Sequence, residues 1–66
     1  DPTVAAHHRS RLGEILLAAR DPRGALAAFR AALALDSRSL TATRGLSRSA
    51  RQARDAGAMA QAHPAK

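Results

Sequence analysis

The stretch Arg9-Ser10-Arg11-Leu12-Gly13-Glu14-Ile15-Leu16, followed by Ala25-Leu26-Ala27-Ala28-Phe29, decides how this chain folds. It sets Leu-Gly-x-x-Leu and Ala-x-x-x-Phe on either side of Arg20-Asp21-Pro22-Arg23-Gly24. Leu12, Ile15, Leu16 and Ala19 recur at steps of three and four, which is the period of an amphipathic helix. The periodicity begins near Val4, with Thr3 placed to cap it, and predicts a first helix over about residues 4–20. Pro22 disfavours a helical conformation at Asp21, while Asp21 can cap a second helix that has Pro22 at its first position. That helix is predicted over residues 22–35, where Ala25, Leu26, Phe29, Ala32 and Leu33 form a broad apolar face. Asp36-Ser37-Arg38-Ser39 holds two further caps, and a third helix is expected to start close to Leu40.

These residues resemble the tetratricopeptide repeat, a helix–turn–helix unit marked by an aromatic, Leu-Gly, a large residue, Ala-x-x-x-Phe and a closing Pro. The resemblance rests on Leu12, Gly13, Leu16, Ala25, Phe29 and Ala32. It departs from the family at Arg9 (usually aromatic), Leu16 (usually Tyr), Arg20 (often a turn Gly) and Ser37 (usually the closing Pro). The fold it implies is all-α: antiparallel helix–turn–helix repeats forming a fragment of an α-solenoid. In such a unit Gly13 and Ala25 let two helices approach closely, Ala32 continues the small-residue seam, and Leu12, Leu16 and Phe29 fill the space around it. These are packing positions. A bulky residue at Gly13 or Ala25 would overpack the crossing by roughly 1–3 kcal/mol.

A shift of 34 residues carries Leu12 onto Leu46, Gly13 onto Ser47, Leu16 onto Ala50 and the triplet Ala19-Arg20-Asp21 onto the identical Ala53-Arg54-Asp55. With one residue deleted, Gly24-Ala25-Leu26-Ala27 aligns with Gly57-Ala58-Met59-Ala60. Residues 1–5 therefore read as a lead-in, 6–39 as one full repeat, 40–63 as a partial second repeat or a capping helix, and 64–66 as a tail. A break near Asp55–Gly57 is favoured over one continuous third helix, with a short helix then running from Ala56 to Ala62 or His63, where Pro64 discourages continuation.

Composition narrows the function. Sixty-six residues make one small domain with a thin core, because alanine supplies most of the apolar count and buries little area. No cysteine is present to add a disulfide or a thiolate metal site. The net charge of +6, carried almost wholly by arginine, favours acidic partners, although the same arginines also solubilise an alanine-rich surface. No apolar run approaches the roughly 18 residues of a membrane span. The start at Asp1, without an initiator Met, is expected of a piece of a longer protein. One and a half repeats would need neighbouring repeats, a copy of the chain or a bound partner to complete their core.

The resemblance implies a groove lined by the first helix of each repeat, which accepts segments of partner proteins. In the first repeat the groove positions are Ser10, Glu14 and Leu17, and adding 34 gives Arg44, Arg48 and Arg51. These three lie at i, i+4 and i+7, one stripe of a helix. The expected function is thus a non-enzymatic protein-interaction module in which Arg44, Arg48 and Arg51, with Arg11 and His7 adjacent, engage an acidic segment through bidentate guanidinium–carboxylate pairs. The alternative is non-specific nucleic-acid binding through the arginine-rich third helix, weakened by the lack of Trp and Tyr to stack on bases. A membrane-surface helix ranks below both, since Leu46, Ala50 and Ala53 make only a weak apolar face.

No cofactor is expected. His7 and His8 are adjacent and diverge on a helix, His63 is distant, and Glu14 has no carboxylate partner for acid–base work. Asp1, His7 and Ser10 supply the residue types of a hydrolase triad, but on one helix start with no pocket to exclude water.

Overall fold

The computed structural model describes the backbone of residues 1–62 and the side-chain surroundings of residues 1–57. The chain is all-helical there, with α1 over Pro2–Ala18, α2 over Pro22–Leu35 and α3 over Leu40–Ala62. Asp-Pro starts both of the first two helices. The Thr3 N–H donates to Asp1 Oδ1 at 3.0 Å, and the Gly24 N–H donates to Asp21 Oδ1 at 3.1 Å. Each aspartate satisfies a first-turn donor, and the proline that follows occupies a position where no N–H is needed. The expectation of a lead-in with Thr3 as cap is thereby corrected: Asp1 is the cap, and α1 begins two residues before Val4.

α1 ends on a left-handed residue. Arg20 has φ 64°, its N–H donates to Leu17 O at 3.0 Å, and the Asp21 N–H donates to Leu16 O at 2.8 Å. This is the Schellman arrangement, in which the residue past the cap turns left-handed and satisfies the last carbonyls of the helix. It ends α1 at Ala18, earlier than residue 20. The second connection is built from Asp36 and Ser39: the Arg38 N–H donates to Asp36 Oδ1, and the Ala42 N–H donates to Ser39 Oγ, each at 3.1 Å.

α3 runs without interruption through Asp55–Gly57, so the expected break does not occur. Physically, nothing there stops a helix. No proline lies between Leu40 and Ala62, the flanking Ala, Arg and Gln residues are strong helix formers, and a single interior glycine costs only about 1 kcal/mol. The role given to Pro64 and the tail at 64–66, together with His63, lies outside the described residues.

α2 is the central element. Leu16 lies against Gly24, and Gly13 against Phe29, so α1 and α2 pair in opposite directions. Gly13 and Gly45 both lie against the ring of Phe29, and the Gln52 amide of α3 donates to Leu17 O of α1 at 3.3 Å, so α1 and α3 run in the same sense. The core consists of Phe29, fully buried, within a seam of Ala6, Ala25, Ala32 and Ala42, with Leu16, Leu17, Leu33 and Leu46 packed around it. A Cβ built at Gly13 would stand 2.7 Å from Phe29 Cζ, and one built at Gly45 would stand closer still. The ring occupies the volume that side chains at both glycines would need.

One packing expectation fails. Leu12, expected to fill the core, is 42 % exposed, and Val4 and Ile15 beside it are 52 % and 58 % exposed. The inward row of α1 is Ala6, Ser10 and Gly13, and Leu12 stands about 100° round the helix from Gly13. It therefore lies beside the inward row rather than in it, and stays exposed.

Candidate functional site

The inward faces of α1 and α3 are used up by small residues, and this determines what each helix shows to solvent. On α3, Ala42, Gly45 and Ser49 face the core. The Ser49 hydroxyl is satisfied within its own helix, donating to Gly45 O at 2.7 Å. With those positions turned inward, Arg44, Arg48 and Arg51 project outward on one stripe, and all three are exposed. They line an open cleft of about 580 Å³ together with Glu14 of α1 and Thr41, Thr43 and Ser47 of α3, with Gly45 at its base.

Two smaller clefts adjoin it. One of about 340 Å³ lies between Glu14, Leu17 and Ala18 of α1 and Arg48 and Gln52 of α3. The other, of about 410 Å³, is lined by Arg20, Pro22, Arg48, Arg51, Gln52, Asp55 and Ala56. Arg48 borders all three, so they lie side by side as a row of clefts, a furrow, along the α1–α3 junction. Gln52 sits at its waist. Its amide donor closes onto Leu17 O, whereas Gln52 Oε1 is buried without a hydrogen-bond partner. Among the described residues no side-chain hydrogen bond uses an arginine guanidinium, which leaves these donors available to a ligand.

The three arginines singled out from the sequence are thus brought together, with Glu14 facing them. Arg11 and His7 are exposed on α1, at i+4 of each other and on the Glu14 side of that helix, but they line none of the three clefts. The His7 ring instead stands edge-on to His8, with centroids 6.3 Å apart. Ser10, expected to be an exposed groove position, is only 2 % exposed, and its hydroxyl has no partner. The 34-residue correspondence therefore fails in burial: Ser10 and Gly13 are buried, whereas Arg44 and Ser47 are exposed. α1 is covered at those positions by α2 and α3, and among the described residues no further helix covers the matching side of α3.

Sequence reasoning missed Arg20, Gln52 and Asp55 as parts of the furrow. Arg20 was legible as a departure from the usual turn glycine; the other two carry no signal without knowledge of which helices pack together. Among the described residues no group of three or more His, Asp or Glu is placed to hold a metal ion, and no helix is long and apolar enough to cross a membrane. No family model matches the chain, and comparison with curated proteins and with solved structures finds no similar one.

Proposed function

We propose that this chain is a non-enzymatic protein-interaction module, a tetratricopeptide-like helical hairpin with a third helix, whose furrow receives an acidic segment of a partner protein. The observation that carries this reading is the convergence of Arg44, Arg48 and Arg51 on one open cleft with no hydrogen-bond partner of their own among the described residues. Guanidinium groups spaced along a stripe suit successive carboxylates, each accepting a planar fork of two N–H donors. The lining is otherwise the carboxylate of Glu14, which the three guanidinium groups outnumber, with hydroxyls and Gly45, and it lacks the large apolar anchors that a docked amphipathic helix requires. An extended segment, with backbone groups free to meet Thr41, Thr43 and Ser47, is the better fit. Exposed pairs of this kind are individually weak, about 0.2–1 kcal/mol each, so affinity rests on several acting together.

The test uses a fluorescein-labelled peptide of eight glutamates, titrated with the chain at low salt and followed by anisotropy. Arg44→Glu combined with Arg48→Glu is expected to weaken binding at least about tenfold, with the far-ultraviolet circular dichroism unchanged. Unaltered affinity in that double variant overturns the reading. So does tight duplex binding in a gel shift that survives near-physiological salt, because purely electrostatic contact with phosphates falls steeply as salt rises.

A further inference from the structure

The conformation of Arg20 is at odds with its residue type. With φ 64° it holds the position past the α1 cap that glycine occupies most comfortably, since a Cβ there crowds the backbone. Its side chain forms no hydrogen bond among the described residues that would offset this strain. Glycine would serve the turn better. The left-handed backbone itself closes α1, but the choice of arginine over glycine adds nothing to that turn, and strained positions cluster at binding sites.

What the arginine does have is a place. It lines the 410 Å³ cleft with Arg48 and Arg51, and those same two residues line the 580 Å³ cleft with Arg44. Three guanidinium groups face a single carboxylate, Asp55, in the smaller cleft. The geometry points to Arg20 as a fourth anion-binding group, supplied by the α1–α2 turn, which extends the acidic-segment site beyond the α3 stripe. The inference rests on the reading of the furrow as an acidic-peptide site and adds its length. From Thr41 to Ala56 the furrow follows α3 for about 22 Å at ~1.5 Å per residue, room for an extended segment of about seven residues at ~3.3 Å each. The partner segment therefore carries carboxylates along its whole length, at one end for Arg44 and at the other for Arg20.

The test compares variants of the full 66-residue chain against the octaglutamate peptide. Arg20→Gln is expected to weaken binding about fivefold. Arg30→Gln, which removes the same charge from an exposed α2 position lining none of these clefts, should change it less than about twofold. Arg20→Lys, which keeps the charge, should stay within about twofold of the parent. Arg20→Gly should bind as weakly as Arg20→Gln while raising the thermal midpoint by about 3–8 °C, an opposition that a merely structural residue would not produce. Equal losses from Arg20→Gln and Arg30→Gln overturn the inference, as does a midpoint lowered by Arg20→Gly. If the Arg44 and Arg48 double variant loses binding and Arg20→Gln does not, the inference alone falls. If the parent chain fails to bind octaglutamate, the reading beneath it falls as well.

Discussion

Phe29 is the only Phe, Tyr or Trp in the chain, and two glycines lie against its ring. Gly13 on α1 and Gly45 on α3 each present bare backbone to its ring, so one side chain ties three helices together. The ring is fully buried between them. Gly45→Ala is expected to destabilise the chain by about 1–3 kcal/mol, because the added methyl must displace a ring that has no free volume to enter, although alanine improves helix propensity. Chemical denaturation by urea measures this. A more stable Gly45→Ala chain would show that the ring can move aside. Gly13 was legible in the Leu12-Gly13 signature, but Gly45 was not. Nothing near it repeats that signature, and its role arises only because α3 meets the edge of the Phe29 ring that α1 leaves open.

Among the elements, α1 and α2 obey one local code. Asp1-Pro2 and Asp21-Pro22 pair a capping carboxylate with a proline at the first helical position. The code could be read at Asp21 because a helix had to end just before it; at Asp1 the apolar period drew attention to Val4 instead. α3 illustrates the opposite error. Gly57 aligns with Gly24, which suggests a turn, yet Gly24 follows Asp21-Pro22 whereas Gly57 follows Arg54-Asp55-Ala56. The left-handed Arg20 and the Asp21-Pro22 cap, not the glycine, make the turn. A Cβ placed at Gly57 meets nothing within 4 Å. Gly57→Ala should therefore favour helix by about 0.5–1 kcal/mol, seen as higher helicity and a raised thermal midpoint. Loss of helicity on that substitution would mean that the chain needs a glycine there, as a turn would.

At the scale of the molecule, small residues around the buried Phe29 bring three helices close, while several larger apolar side chains among the described residues stay outside. Leu12, Val4 and Ile15 leave an uncovered row on α1, and Leu35 and Leu40 are 40 % and 68 % exposed at the second connection. Leu12→Ala should cost less than about 1 kcal/mol, whereas the half-buried Leu16, packed against the core, should cost clearly more when truncated in the same way. Equal costs, measured by thermal unfolding at one protein concentration, would mean that Leu12 is covered in solution.

Helix content, the first turn and the arginine stripe follow from the chain alone, since each depends on residues within a few positions of one another. The spacing of apolar residues specifies the helical period, Asp21-Pro22 the turn, and Arg44, Arg48 and Arg51 a common side of any helix that contains them. Burial obeys a different rule. Ser10 and Leu12 exchange their expected places, and Arg20, Gln52 and Asp55 join a furrow, because these outcomes depend on where α3 settles against α1. That placement is determined by the fit of Phe29 between two glycines on different helices, a contact between residues far apart in the chain that no local pattern encodes.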